Sequence, residues 1–173
     1  MFSIRIISLA ALLLGSVAVN AAVTAHHVQP GNLYVAKPAH FSPQHEGDTG
    51  PSGHRNHPVV ALSHPDAHGW VPVAAVSHNH PAHMGPTENA QRFDHDTHHG
   101  GHGGFESGSR IATARLVHVH VDDLHHVNAD SGLPTHLRGD DTHNLRAAVR
   151  AASGQSFDNP RHRTPTPPWR SGH

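Results

Sequence analysis

Arg110-Ile111-Ala112-Thr113-Ala114-Arg115-Leu116-Val117-His118-Val119-His120-Val121 is the stretch on which the reading of this chain turns. It is rich in β-branched residues and alternates. Ile111, Thr113, Val117, Val119 and Val121 fall on one face of an extended segment, His118 and His120 on the other, which predicts a strand. Asp122 and Asp123 then open a short helical turn carrying Leu124 and Val127. Farther on, Asp140 or Asp141 starts a second helix. Leu145, Ala148, Val149 and Ala152 form one face of it, Arg146 and Arg150 suit its C-terminal dipole, and Gly154 ends it.

Outward from this core the signals fade. Residues 26–109 carry sparse apolar residues with no sustained period, punctuated by proline and glycine. A degenerate repeat runs through them, Ala61-Leu62-Ser63-His64 being echoed by Ala75-Val76-Ser77-His78. The first 21 residues read as a secretory signal: Arg5, an apolar run from Ile6 to Val19, then small residues at Val19-Asn20-Ala21 that suit cleavage. That run is shorter than the roughly 20 residues of a membrane span. Val, Leu, Ile and Phe make up only about one residue in six after Ala21, below the roughly 20 % at which chains struggle to bury a core. The expected architecture is therefore mostly disordered, low-complexity sequence after a signal peptide, with one small α+β element of one strand and one or two short helices at about 110–155. The divisions are 1–21 signal peptide, 22–109 His/Pro/Gly-rich low-complexity region, 110–157 small structured region and 158–173 open Pro-rich tail.

The chain has no cysteine and 23 histidines, all of them after the signal. Disulfides, thiolate ligands and a cysteine nucleophile are excluded. Lys37 is the only lysine, and the formal charge is −1 with histidine neutral. An ordinary imidazole titrates near pH 6.5, so the chain swings from near neutral to strongly cationic on acidification.

Two histidine constellations stand out. The denser is Asp94-His95-Asp96-Thr97-His98-His99-Gly100-Gly101-His102-Gly103-Gly104. Imidazole is a good ligand for Zn, Cu and Ni, the flanking carboxylates add oxygen donors, and the glycines let the backbone fold around an ion. His95, His98, His99 and His102 are the candidate ligands here. The second is His118-Val119-His120-Val121-Asp122-Asp123-Leu124-His125-His126. Side chains two apart on a strand point the same way, so His118 and His120 could chelate one ion, with His125 and His126 following. This string resembles the His-x-His-x-Asp-His motif of metallo-β-lactamase-like hydrolases. Asp123 stands where that motif has its last histidine, and nothing else in the chain matches the family.

No Gly-x-Ser-x-Gly, Walker loop or dinucleotide fingerprint is present, so no enzyme is expected. Balanced charge and scarce aromatics disfavour nucleic-acid binding at neutral pH. The function these residues point to is a secreted, extracellular, histidine-rich protein that binds or sequesters transition metals, with non-catalytic Zn or Cu as cofactor. The alternative is a secreted effector or antimicrobial-type protein whose histidines switch it toward anionic surfaces or host proteins at low pH. No transmembrane segment is expected in the mature chain.

Overall fold

The computed structural model describes residues 22–78, 84–95 and 104–157; the expected signal peptide and Pro-rich tail lie outside them. The chain is not mostly disordered. Among the described residues seven antiparallel strands and one α-helix form an α+β domain, and four of the strands come from the segment expected to be low-complexity.

The strands are β1 (Leu33–Ala36), β2 (His57–Ala61), β3 (Trp70–Ser77), β4 (Thr87–Asn89), β5 (Arg110–Ala112), β6 (Val117–His120) and β7 (His125–His126). The eight-residue β3 is the centre. β2 pairs along one of its edges, with Val59 opposite Ala75 and Ala61 opposite Val73. β1 continues the sheet beyond β2, and β7 beyond β1. The other edge of β3 is shared: Trp70–Val73 pair with β6, and Val76 and Ser77 pair with β5, which carries β4 on its far side.

This sharing explains why the single strand expected over 110–121 is two. Ile111 pairs with Val76, so an unbroken strand would bring Ala114 opposite Val73; Val117 stands there instead. Three extra residues leave the ladder between β5 and β6, as in a large bulge that bends the edge. Past β1 the chain also crosses to the outer edge of β6. There Ser42 and His118 exchange both backbone hydrogen bonds, at 2.9 and 2.7 Å, so the sheet curls toward closure.

Curling gives the sheet two buried faces. Inside the curl lie Tyr34, Ala36, Phe41, Val59, Ala61, Val71, Val73, Val117, Val119 and Leu124. On the outer face Leu33, Val60, Leu62, Ala74, Val76 and Ile111 pack with Leu145 and Val149 of the helix α1 (Gly139–Ser153), and with Phe93, Phe105 and Phe157. A strand covered on both faces reads as a continuous apolar run instead of an alternating one. That is the pattern of Val71-Pro72-Val73-Ala74-Ala75-Val76, whose residues are all buried. Alanine carries much of this core: Ala36, Ala61, Ala74, Ala90 and Ala112 are each at most 3 % exposed. Tallying only larger apolar side chains therefore understates what the chain buries.

The helix begins and ends where its residues predict. Asp140 and Asp141 sit in the first turn, and Leu145 and Val149 are buried one turn apart with Ala148 half-buried beside them. Ala152 of the expected face is exposed at the helix end, and Gly154 takes the left-handed conformation, φ 67°, that closes the C-terminus. Arg146 and Arg150 lie over the ring of Phe157, 5.7 and 5.1 Å from its centre. The turn at Asp122 and Asp123 is a single 3-10 turn, Val121–Asp123, capped by the His120 side chain, with Leu124 buried behind it. Ala-Leu-Ser-His and Ala-Val-Ser-His, the two halves of the repeat, each close a strand, β2 and β3, with Ser63 and Ser77 buried.

The turn between these strands is held by Asp66, whose carboxylate accepts N–H groups of His68 (2.8 Å) and Trp70 (2.9 Å). Partial burial raises its pKa, but the backbone donors of Trp70 and His68, with the nearby His68 and His118 charges, outweigh this and hold it below the usual carboxylate value of 3.8.

Two outcomes follow. Ala74→Leu inserts bulk between β3 and α1 and costs about 1–3 kcal/mol in urea unfolding, whereas Ala147→Leu on the exposed side of the helix stays within about 0.5 kcal/mol. A folded-state pKa below the unfolded one stabilises at neutral pH and is lost as pH falls through it. Asp66→Asn should therefore flatten the acid limb of the stability profile below about pH 4; an unchanged limb would remove Asp66 from the cause.

Candidate metal centre at the histidine loop

His95 is the sequence-predicted ligand with the most defined surroundings. It follows the 3-10 turn Ala90–Phe93, which packs against α1. Its backbone N–H donates to Asp141 Oδ2 at 2.8 Å, and its ring Nδ1 meets Asp141 Oδ1 at 2.7 Å. Asp141 is 3 % exposed, while the His95 side chain is 60 % exposed. One carboxylate on the first turn of the helix thus holds both the main chain and the ring of a residue 46 positions away. Arg138 adds a third tie, donating to the His95 carbonyl at 3.1 Å. With Nδ1 given to a carboxylate, the free nitrogen is Nε2, which has no hydrogen-bond partner among the described residues. That is the tautomer and orientation that carboxylate-backed metal histidines adopt.

Asp94 plays a different part from the oxygen donor expected of it. It is 3 % exposed, and its Oδ2 accepts the N–H groups of Gly104 (2.6 Å) and Phe105 (2.9 Å). A buried carboxylate with two backbone donors is satisfied inside the fold and turned away from solvent. Its effect is to pin together the two ends of the segment 95–104. His98, His99 and His102 lie on that segment, outside the described residues.

The second constellation does not converge on one point. His118 and His120 do share a face of β6, their neighbours Val117 and Val119 being buried. Their nitrogens serve the scaffold. His118 Nδ1 lies 3.4 Å from the carbonyl of Ser42. His120 Nε2 reaches the carbonyl of His68 at 3.0 Å, while its Nδ1 accepts from the N–H of Asp122 at 3.3 Å. His125 and His126 are exposed on the edge strand β7, the latter tilted against Tyr34 with ring centres 5.9 Å apart. Among the described residues no three His, Asp or Glu side chains gather as a metal-ligand set.

Other histidines pair with carboxylates that sequence reasoning did not link: His40 with Asp123 at 2.7 Å, and His78 with Glu106 at 3.8 Å. A cavity of about 30 Å³ bordered by Phe41, His45, Asp48 and Met84 admits water-sized molecules only. The role of Asp141 had a partial signal, since it is read as a helix start. Its reach to His95 had none, because nothing local connects the two. Among the described residues no helix is long and apolar enough to cross a membrane.

Comparison with protein-family models, with curated proteins and with solved structures finds no match to this chain.

Asp94→Ala leaves the Gly104 and Phe105 N–H groups without their acceptor inside the protein. It should cost about 2–4 kcal/mol in urea unfolding, and proteolytic cleavage within 96–103 should quicken. Wild-type stability in this variant would mean that the segment ends are held by something else.

Proposed function

We propose that the protein is a secreted, non-enzymatic binder of divalent transition metals, Zn or Cu foremost, with its primary site at the histidine loop that His95 opens. The observation that carries this reading is the hydrogen bond from His95 Nδ1 to the buried Asp141 carboxylate, in a side chain that stays largely exposed and whose Nε2 has no hydrogen-bond partner among the described residues. Such an outer carboxylate fixes the ring and raises its basicity toward a metal.

Three further imidazoles follow in the chain: His98, His99 and His102. Both ends of their segment are anchored, and a chain spans at most about 3.6 Å per residue. Each of the three is therefore kept within about 15 Å of His95 or Gly104 by connectivity alone. Connectivity alone therefore keeps their local concentration around His95 high. Glycines at 100, 101 and 103 place few steric limits on the backbone around an ion, and any conformational freedom lost on binding subtracts from the affinity. Moderate affinity with limited discrimination between Zn, Cu and Ni is the physical consequence. The carboxylate anchors also stand in for the disulfides that a small secreted domain would ordinarily use.

Calorimetric titration of residues 22–173 with Zn tests this at pH 7.4 and 5.5. Saturable binding should appear at pH 7.4 and weaken strongly at 5.5, since protonated imidazole is not a ligand. Asp141→Asn should weaken binding by about 10–100-fold, and His95→Ala at least as much. His118→Ala and His120→Ala should change it little. Wild-type affinity in His95→Ala would refute this site, and heat that does not saturate at pH 7.4 would refute metal binding altogether.

A further inference from the structure

A groove of about 430 Å³ lies beside the edge strand β7, away from the histidine loop's anchoring carboxylates. Its polar lining is Lys37, Asn56, His125, His126, Asn128 and Ser131. None of these is acidic. Val35, Val127 and Leu133 give it an apolar floor. Three stretches far apart in sequence build it: the end of β1, the residue before β2, and the segment from β7 through the 3-10 turn Ala129–Ser131 to Leu133.

The donors in this groove are unspent. Among the described residues no carboxylate pairs with the ammonium of Lys37, and no acceptor takes the side-chain N–H groups of Asn56, His125 or His126. Asn128 uses its Oδ1 to accept the N–H of Asp130 at 3.1 Å, which leaves its amide NH₂ available. Asp123, two residues before β7, pairs with His40 at 2.7 Å and does not line the groove. Asp130, on the turn itself, does not line the groove. The fold has thus kept carboxylates out of the groove's lining and left a concave surface of donors around the chain's only lysine.

We propose that this groove is an oxyanion-binding site. Its ligand is a small polar molecule bearing a sulfate or phosphate group, with the anion against Lys37 and the two asparagine amides. The imidazole N–H groups complete the donor set, and the ligand body rests on Val35, Val127 and Leu133. An ammonium with several neutral N–H donors suits an oxyanion, whose three outer oxygens each accept hydrogen bonds. The volume suits a ligand of one or two sugar-sized rings. This site is independent of the metal reading, and either can fail without the other.

The test is an NMR-detected titration of residues 22–173 at pH 7.0 with EDTA present. The probes are a trisulfated heparin-type disaccharide, its desulfated counterpart and glucose 6-phosphate. Saturable shifts should appear at Lys37, Asn56 and Asn128 with a sulfated or phosphorylated probe, and none with the desulfated sugar. Binding of one anionic probe alone upholds the site and names its preferred anion. Lys37→Ala and Lys37→Gln should each weaken binding about tenfold. Arg92→Ala removes an exposed cation elsewhere, one paired with Glu88, and should leave binding unchanged. Equal loss in Arg92→Ala and Lys37→Ala would show diffuse charge attraction and overturn the proposal. So would equal binding of the desulfated sugar, or no binding of either anion.

Discussion

Everything in this fold leans on β3. Seven of its eight residues are buried, one edge is taken by β2, and the other is divided between β5 and β6. A strand in that position must be apolar on both faces and must find backbone partners along nearly its whole length. Val71-Pro72-Val73-Ala74-Ala75-Val76 meets the first demand with small side chains, so that the curl inside and the helix outside can both come close. The proline lies opposite His118 and offers its carbonyl to the N–H of Leu62 at 2.9 Å, so the missing amide N–H does not break the sheet at its centre. The three-residue slip between β5 and β6 follows from the same demand, because two short strands must fit one edge of a longer one.

Around that centre the protein holds its loops with buried aspartates. Asp94 ties residues ten apart and Asp141 ties residues 46 apart, while Asp48 accepts the His45 N–H at 2.7 Å. A carboxylate accepting two backbone or ring donors in a buried setting is among the stronger polar contacts available to a chain without cysteine. The arrangement also sets the chemistry. The carboxylate that locks α1 to the rest of the fold is the one that orients His95, so ligand orientation and helix docking share one group. Elsewhere no carboxylate lines the groove beside β7, where Lys37 and a set of donors remain unspent.

Part of this was legible from residue order. The helix from Asp140 to Gly154, the alternation of Val117 and Val119 with His118 and His120, and the buried Leu145 and Val149 all stand as their local spacing predicts. Helical and strand periods report one covered face, and these elements each have one. The strands β1 to β4 were illegible for the opposite reason. β2 and β3 are covered on both sides and show no period, β1 and β4 are only four and three residues long, and the alanines in their core carry little weight in a hydrophobicity tally. His118 and His120 were correctly placed on one face. What their ring nitrogens touch depends on Ser42 and His68, which reach them from distant parts of the chain.

The sequence by itself determined the reservoir of imidazoles, the absence of thiol chemistry and the limits of the helix α1, because each depends on composition or on neighbours within a few residues. Only the tertiary structure decided that the chain has a two-faced sheet, that Asp94 faces inward, that Asp141 meets His95, and that the groove beside β7 is free of carboxylates. Each of those is a contact between segments whose separation in sequence carries no local signal. Such contacts form because burying the faces of β3 brings the segments together, and the polar groups carried along must then find partners or remain in water.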